Sequence, residues 1–94
     1  MKGLAMLKLD LKKPAFDFLT GLQNKPFKQV MLHIIRLMKT PYPHDSQKLK
    51  GYPFYRVDIG EYRVIYDVEA EEVLRVILVG KRNDDEVYKQ LKSL

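Results

Sequence analysis

A chain of 94 residues, 46% apolar and 31% charged, has room for one hydrophobic core and no second, and is too apolar to remain disordered. It has no cysteine, which excludes a disulfide framework and a thiolate metal site and suits a reducing, cytoplasmic setting. Its net charge of +5 points to polyanionic partners, nucleic acid first among them.

At the N-terminus, "MKGLAMLKLDLKK" is interrupted by Lys8, Asp10 and Lys12 before any apolar run reaches signal-peptide or membrane-spanning length. Met6, Leu7, Leu9 and Leu11 give it the alternation of a first strand. "KPAFDFLTGL" predicts a short helix: Pro14 suits the first turn, Phe18, Leu19 and Leu22 share one side, and Gly21 ends it. A second helix is signalled more fully. Asn24 can cap it, Pro26 fits its first turn, and Phe27, Val30, Met31, Ile34, Ile35 and Met38 recur at helical spacing until Pro41 stops it. "TPYPHDSQ" reads as a loop.

From Tyr55 the period changes to two. Tyr55, Val57 and Ile59 face one way, Arg56 and Asp58 the other. Gly60-Glu61 fits a two-residue type II′ hairpin loop, which pairs Ile59 with Tyr62, Asp58 with Arg63 and Val57 with Val64. Tyr62 to Val68 is the next strand, "DVEAEE" the next turn, and "VLRVILVGKR" a third meander strand apolar enough to be central. "DDEVYKQLKSL" closes the chain as a short helix or irregular tail. The expected fold is α+β, a single domain over residues 1–94 in the order β-α-α-β-β-β-(α). Two N-terminal helices cover one face of a small, mostly antiparallel four-stranded sheet, and the other face is left open to solvent.

That open face carries the chemistry. Arg56 and Arg63 lie a diagonal step apart on adjacent strands, Lys81 and Arg82 end the third meander strand, and Tyr88 follows within folding-back distance. Lys48 and Lys50 stand at the entry to the sheet. Together they suggest a concave cationic patch with an aromatic hydroxyl at its rim, suited to phosphate, because guanidinium offers a planar two-donor fork and a permanent charge. RNA cleavage through its own 2′-hydroxyl develops extra negative charge on phosphorus, which fixed cations stabilise. A plainer reading stands beside this one. Arg56 and Arg63 are then solvent-face residues pairing with Asp58, Asp67 or Glu69 across strands, and Tyr88 packs on the sheet edge. Asp58, opposite Arg63, can hold or partly neutralise its guanidinium.

Elsewhere the signals are weaker. His33 on the second helix and His44 in the loop have no further ligand at metal spacing, and read as surface histidines. Asp84, Asp85 and Glu86 suit a helix N-terminus better than a metal. No metal or cofactor is expected.

The segments "KLKG", "YRVIYDV" and "VGKR…EVY", in this order and spacing, resemble the RelE family of prokaryotic toxins within the wider RelE/ParE group, and the resemblance covers almost the whole chain. It implies a toxin of a type II toxin–antitoxin system that enters the ribosomal A site and cuts messenger RNA without a metal. It further implies a small RelB-like antitoxin as partner, with operator DNA reached only through that antitoxin and no membrane involved. By the same resemblance Arg63 and Arg82 match phosphate-stabilising arginines, Tyr88 matches a tyrosine that stacks or activates the nucleophile, and Arg56 replaces a common lysine. Arg56, Arg63, Arg82 and Tyr88 are the implied catalytic set, with Lys48, Lys50 and Lys81 binding RNA. Asp58 departs from the pattern, because some relatives carry a lysine there, and Asp84 falls where a further basic residue sometimes occurs. Two other readings remain: a ParE-like DNA gyrase inhibitor, or a weakly active module that mainly binds an antitoxin.

Overall fold

The computed structural model describes residues 6–83 and 86–94. The elements follow as β1 (Lys8–Leu11), α1 (Lys13–Thr20), α2 (Asn24–Lys39), β2 (Gln47–Lys48), β3 (Tyr55–Ile59), β4 (Tyr62–Glu69), β5 (Val73–Lys81) and α3 (Glu86–Ser93). They form one sheet in the order β1-β5-β4-β3-β2. It has five strands where the sequence suggests four. The extra one, β2, is two residues long, too short for a period of two to show, and is recognisable only by its pairing with β3. The meander β3-β4-β5 is antiparallel, whereas β1 runs parallel to β5, the chain passing from one to the other through the two helices and the rest of the sheet.

The β3–β4 hairpin has the expected register, with Ile59 opposite Tyr62, Asp58 opposite Arg63 and Val57 opposite Val64. Gly60 takes φ +60°, the left-handed value that a type II′ turn requires at its first position. The β4–β5 turn places Ala70 and Glu71 at φ 53° and 58° without glycine, a conformation that costs L-residues roughly 1–2 kcal/mol each.

On the inner face, Ala15 and Leu19 of α1 and Val30, Ile34 and Leu37 of α2 pack on Val57, Ile59, Val64, Tyr66, Leu74, Val76 and Val79 of the sheet. Full burial of such side chains is worth roughly 1.5–3 kcal/mol each, which fixes the helices on this face. The buried stripe of α2 differs from the expected one. Leu37 is buried with Val30 and Ile34, and Met31 and Met38 pack partly buried at the edge of the core as expected. Ile35 and Phe27 remain 45% and 39% exposed, because adjacent helical residues diverge by about 100° and these two turn away from the sheet. Asn24 is the first helical residue rather than the cap. Gln23 precedes it, with no side-chain capping bond.

The outer face is not fully open. Helix α3 crosses it, seating Val87 and Leu91 on Ile65, Ile77 and Leu78, with Leu49, Tyr52 and Phe54 packed alongside. A bulge supplies the apolar footing: Ile65 pairs with Leu78 and Tyr66 with Val76, so Ile77 is an extra residue and both Ile77 and Leu78 join the outer cluster. Gly80 permits the approach of α3, since a methyl group there would overlap the Val87 Cγ2. Alternation along "VLRVILVGKR" hides this second apolar patch, because a bulge breaks the period that sequence reading relies on. Glu86 supplies an acidic residue in the first turn of α3, while Asp84 and Asp85 lie outside the described residues.

Candidate phosphate-binding site

The β3–β4 register places Asp58 and Arg63 side by side on the outer face, with Arg56 one diagonal step away. The next residue across from Arg63 is Gly80, over which α3 is packed. Seating Val87 on the sheet therefore hangs the following residue, Tyr88, over the two arginines. Local sequence thus does three jobs here: a tight Gly60 turn sets the register, a bare Gly80 admits the helix, and Val87 fixes the depth of Tyr88.

The groups converge on one atom. The Tyr88 hydroxyl oxygen accepts a hydrogen bond from Arg56 Nη1 at 2.8 Å and another from Arg63 Nη1 at 2.7 Å. The Arg63 Cζ also lies 5.6 Å from the centroid of the Tyr88 ring, within cation–π range. With both lone pairs of the phenol oxygen occupied, the hydroxyl hydrogen is left to donate to a third group. Arg56 additionally donates from Nη2 to Gln47 Oε1 at 2.8 Å.

Asp58 completes the cluster. Arg63 donates to it from both Nε, at 2.7 Å, and Nη2, at 3.1 Å, a two-pronged ion pair in which the Arg63 side chain is 14% exposed and that of Asp58 32%. The hydrogen bond from Arg63 holds the Asp58 carboxyl below its ordinary value against the opposing effect of burial, with the charges of Arg63, Arg56 and Arg82 adding to the effect. Reciprocally, Asp58 raises the pKa of the Arg63 guanidinium.

Other residues implicated by the sequence fall into two groups. The Arg82 backbone N–H donates to the Glu61 carbonyl at 2.9 Å, which extends the β4–β5 register and puts its exposed side chain on the face of Arg63 and Gly80. Its charge reaches Asp58. By contrast, Lys48 is paired with Tyr55 and Lys81 with Tyr62, so alternation turns both toward the inner side, at exposed strand ends. Lys50 is exposed in the turn after β2. The structure thus brings Arg56, Arg63 and Tyr88 together, sets Arg82 nearby, and does not bring the three lysines into that cluster. His33 lies on α2, across the sheet from the arginines, its Nδ1 3.1 Å from the Gln29 carbonyl. His44 is exposed in the loop after α2.

Two contributors escape the sequence reading. Gln47 was hidden in a loop-like stretch, and only its pairing opposite Arg56 reveals it. Gly80 did carry a signal, since glycine inside an apolar strand marks close approach of another backbone or side chain.

With the geometry established, comparison places it among known proteins. Residues 11–86 match the family described as the ParE toxin of the type II toxin–antitoxin system parDE. A free-state arginine-to-alanine double mutant of the Escherichia coli toxin RelE is similar at TM-score 0.77 and 27% identity, over 96% of this chain and 99% of that one. The RelE of an archaeal RelE–RelB complex from Pyrococcus horikoshii OT3 is similar at TM-score 0.71 and 25% identity, over 83% and 97% of the two chains. In the intact E. coli RelBE complex the corresponding values are 0.69, 28%, 82% and 96%. Among curated proteins, none matches the sequence.

Proposed function

Because the chain belongs to the ParE toxin family of type II toxin–antitoxin systems and takes the RelE fold, we propose that it is a ribosome-dependent endoribonuclease that cuts messenger RNA in the A site. The observation that carries this reading is the meeting of two guanidinium groups on the Tyr88 hydroxyl, on a face with a further arginine close by. Fold alone does not select between messenger cleavage and gyrase inhibition, so the reading rests on this cluster.

In the proposed reaction the RNA 2′-hydroxyl gives up its proton to water, its oxygen attacks the adjacent phosphorus, and the bond to the 5′-oxygen breaks. The products are a 2′,3′-cyclic phosphate and a 5′-hydroxyl that has gained a proton. Charge builds on the non-bridging oxygens at the transition state, where Arg56, Arg63 and Arg82 supply a positive potential in a partly enclosed site. Arginine stays protonated, so these groups stabilise charge rather than abstract the 2′ proton. The Tyr88 hydroxyl, with its oxygen held by two cations, presents its hydrogen to the substrate. Of the three lysines, Lys50, exposed in the turn after β2, is the one free to contact a flanking phosphate at the rim and add salt-dependent affinity.

The partner under this reading is a RelB-like antitoxin, supported by the RelE–RelB complexes among the similar structures. The test is to induce the chain in cells, map messenger ends, and repeat with Tyr88→Ala and Arg82→Ala. Cleavage within translated codons, lost or strongly reduced in both variants, is expected. Intact messenger together with stalled gyrase–DNA complexes would falsify the assignment in favour of the ParE-like activity.

A further inference from the structure

The two arginines that meet on Tyr88 are not equivalent. Arg63 spends three of its five N–H donors inside the protein, two on Asp58 and one on Tyr88, and its side chain is 14% exposed. The two-pronged contact that Asp58 makes is the one that a phosphate would use. Turning that fork toward RNA would strand a partly buried carboxylate without its cation, which is costly. Arg56 is placed differently. Both of its partners, the Tyr88 hydroxyl and the Gln47 side-chain oxygen, are neutral. Among the described residues no carboxylate forms an ion pair with it. Among the described residues its charge therefore meets no carboxylate in direct contact, only the more distant Asp58. The contact to Gln47 is exposed and exchangeable for a phosphate oxygen with a gain in charge.

We propose that Asp58 is a positioning residue that withdraws Arg63 from phosphate binding and makes it the strut of Tyr88, leaving Arg56 as the guanidinium that grips the scissile phosphate. This division of labour rests on the reading of the face as a phosphodiester site. It departs from the roles that the resemblance to other toxins implies, and the departure follows from a carboxylate at position 58. The raised pKa of Arg63 and the lowered one of Asp58 agree with a pair locked in place.

The direct test follows the arginine Nε–H resonances of the full chain by NMR during titration with inorganic phosphate. Arg56 should shift progressively while Arg63 stays still, and in Asp58→Ala the Arg63 resonance should begin to respond. Movement of Arg63 in the native chain at the same phosphate concentrations as Arg56 would overturn the proposal, and so would an Arg56 that never moves. A kinetic arm uses Asp58→Asn on ribosomes programmed with messenger. Loss of the strut should lower kcat about tenfold, within the range that misplacing a reacting group costs, without raising the half-saturating toxin concentration. An unchanged or increased kcat would make Asp58 an obstacle or a bystander and would overturn its positioning role. If the native chain cuts no messenger, the proposed function falls while the phosphate titration still decides the division of labour.

Discussion

Two arginine–aspartate pairs sit on the outer face of the sheet, and they are chemically alike. Arg63 on β4 faces Asp58 on β3, and Arg75 on β5 faces Asp67 on β4, each directly opposite in register and each joined through two nitrogens. Both aspartates are partly or largely sheltered, with side chains 32% and 13% exposed. Their surroundings differ. The Arg63–Asp58 pair lies under Tyr88 with two further arginines near it, whereas the charges around Arg75 are the acids Asp67, Glu69 and Asp10. One pair has two further arginines beside it and holds a hydroxyl; the other has acids beside it, one of them paired with Lys12, and holds strands together. Identical cross-strand chemistry thus becomes a candidate site or a brace according to its neighbours.

The sharpest way to break this comparison is to replace both members of each pair by apolar residues. Apolar substitution of a whole buried pair is often tolerated by the fold. Asp58→Leu with Arg63→Met should reduce messenger cleavage about a hundredfold, because Tyr88 loses its strut. Asp67→Leu with Arg75→Met should leave cleavage within about twofold, measured in the same ribosome assay. Equal losses from both would mean that cleavage follows the integrity of the sheet rather than the support of Tyr88.

Breaking only one side of the brace should show its structural role. Arg75→Ala leaves the Asp67 carboxylate, 13% exposed, without its cation. A loss of about 2 kcal/mol in urea unfolding is expected, below the range for fully buried pairs because the Arg75 side chain remains 29% exposed. Little change in stability would show that water or a neighbouring cation replaces the guanidinium.

A third variant sharpens the role of helix seating, which separates the two pairs. Gly80→Ala sets a methyl group against Val87, and overpacking of this kind costs roughly 1–3 kcal/mol. The strain should lift α3 and Tyr88 with it, lowering cleavage, while the Arg75–Asp67 brace is untouched. Adding Val87→Ala makes room for the methyl and should recover part of the lost stability. Failure of that second change to restore any stability would separate Gly80 from the seating of α3.

The sequence revealed these features unevenly, for physical reasons. The meander was readable because Gly60 allows only one economical turn, and with it the register that sets Asp58 against Arg63. The inner core was readable from periodicity. What remained hidden was everything that depends on a break in period or on pairing at a distance. Strand β2 is too short to show alternation, so Gln47 could not be linked to Arg56. The bulge at Ile77 masks the outer apolar cluster, and with it the roof that α3 forms over a face that alternation alone leaves open. Lys48 and Lys81 are near the arginines in the chain, whereas strand alternation turns them to the other side. Motif resemblance suggested that Arg63 and Tyr88 act together, but the role of Asp58 became readable only once three donors of one guanidinium could be counted.

The smallest expected effect concerns pH, and it tests whether the Arg63–Asp58 pair contributes to stability as well as to geometry. The folded-state pKa of Asp58 is depressed, chiefly by the hydrogen bond from Arg63, below the model-peptide value of 3.8. A carboxylate with a depressed pKa contributes stability that is complete above its unfolded value and disappears as pH falls through the folded one. The native chain should therefore lose this contribution below about pH 4, and Asp58→Asn should lack that part of the acid-limb loss. Because Asp58 is 32% exposed, solvent screening keeps the difference small. The measurement is the urea midpoint of both proteins between neutral pH and pH 3. Parallel curves would show that the pair orients Tyr88 without adding to stability, and a steeper decline in the native chain would show that one contact does both.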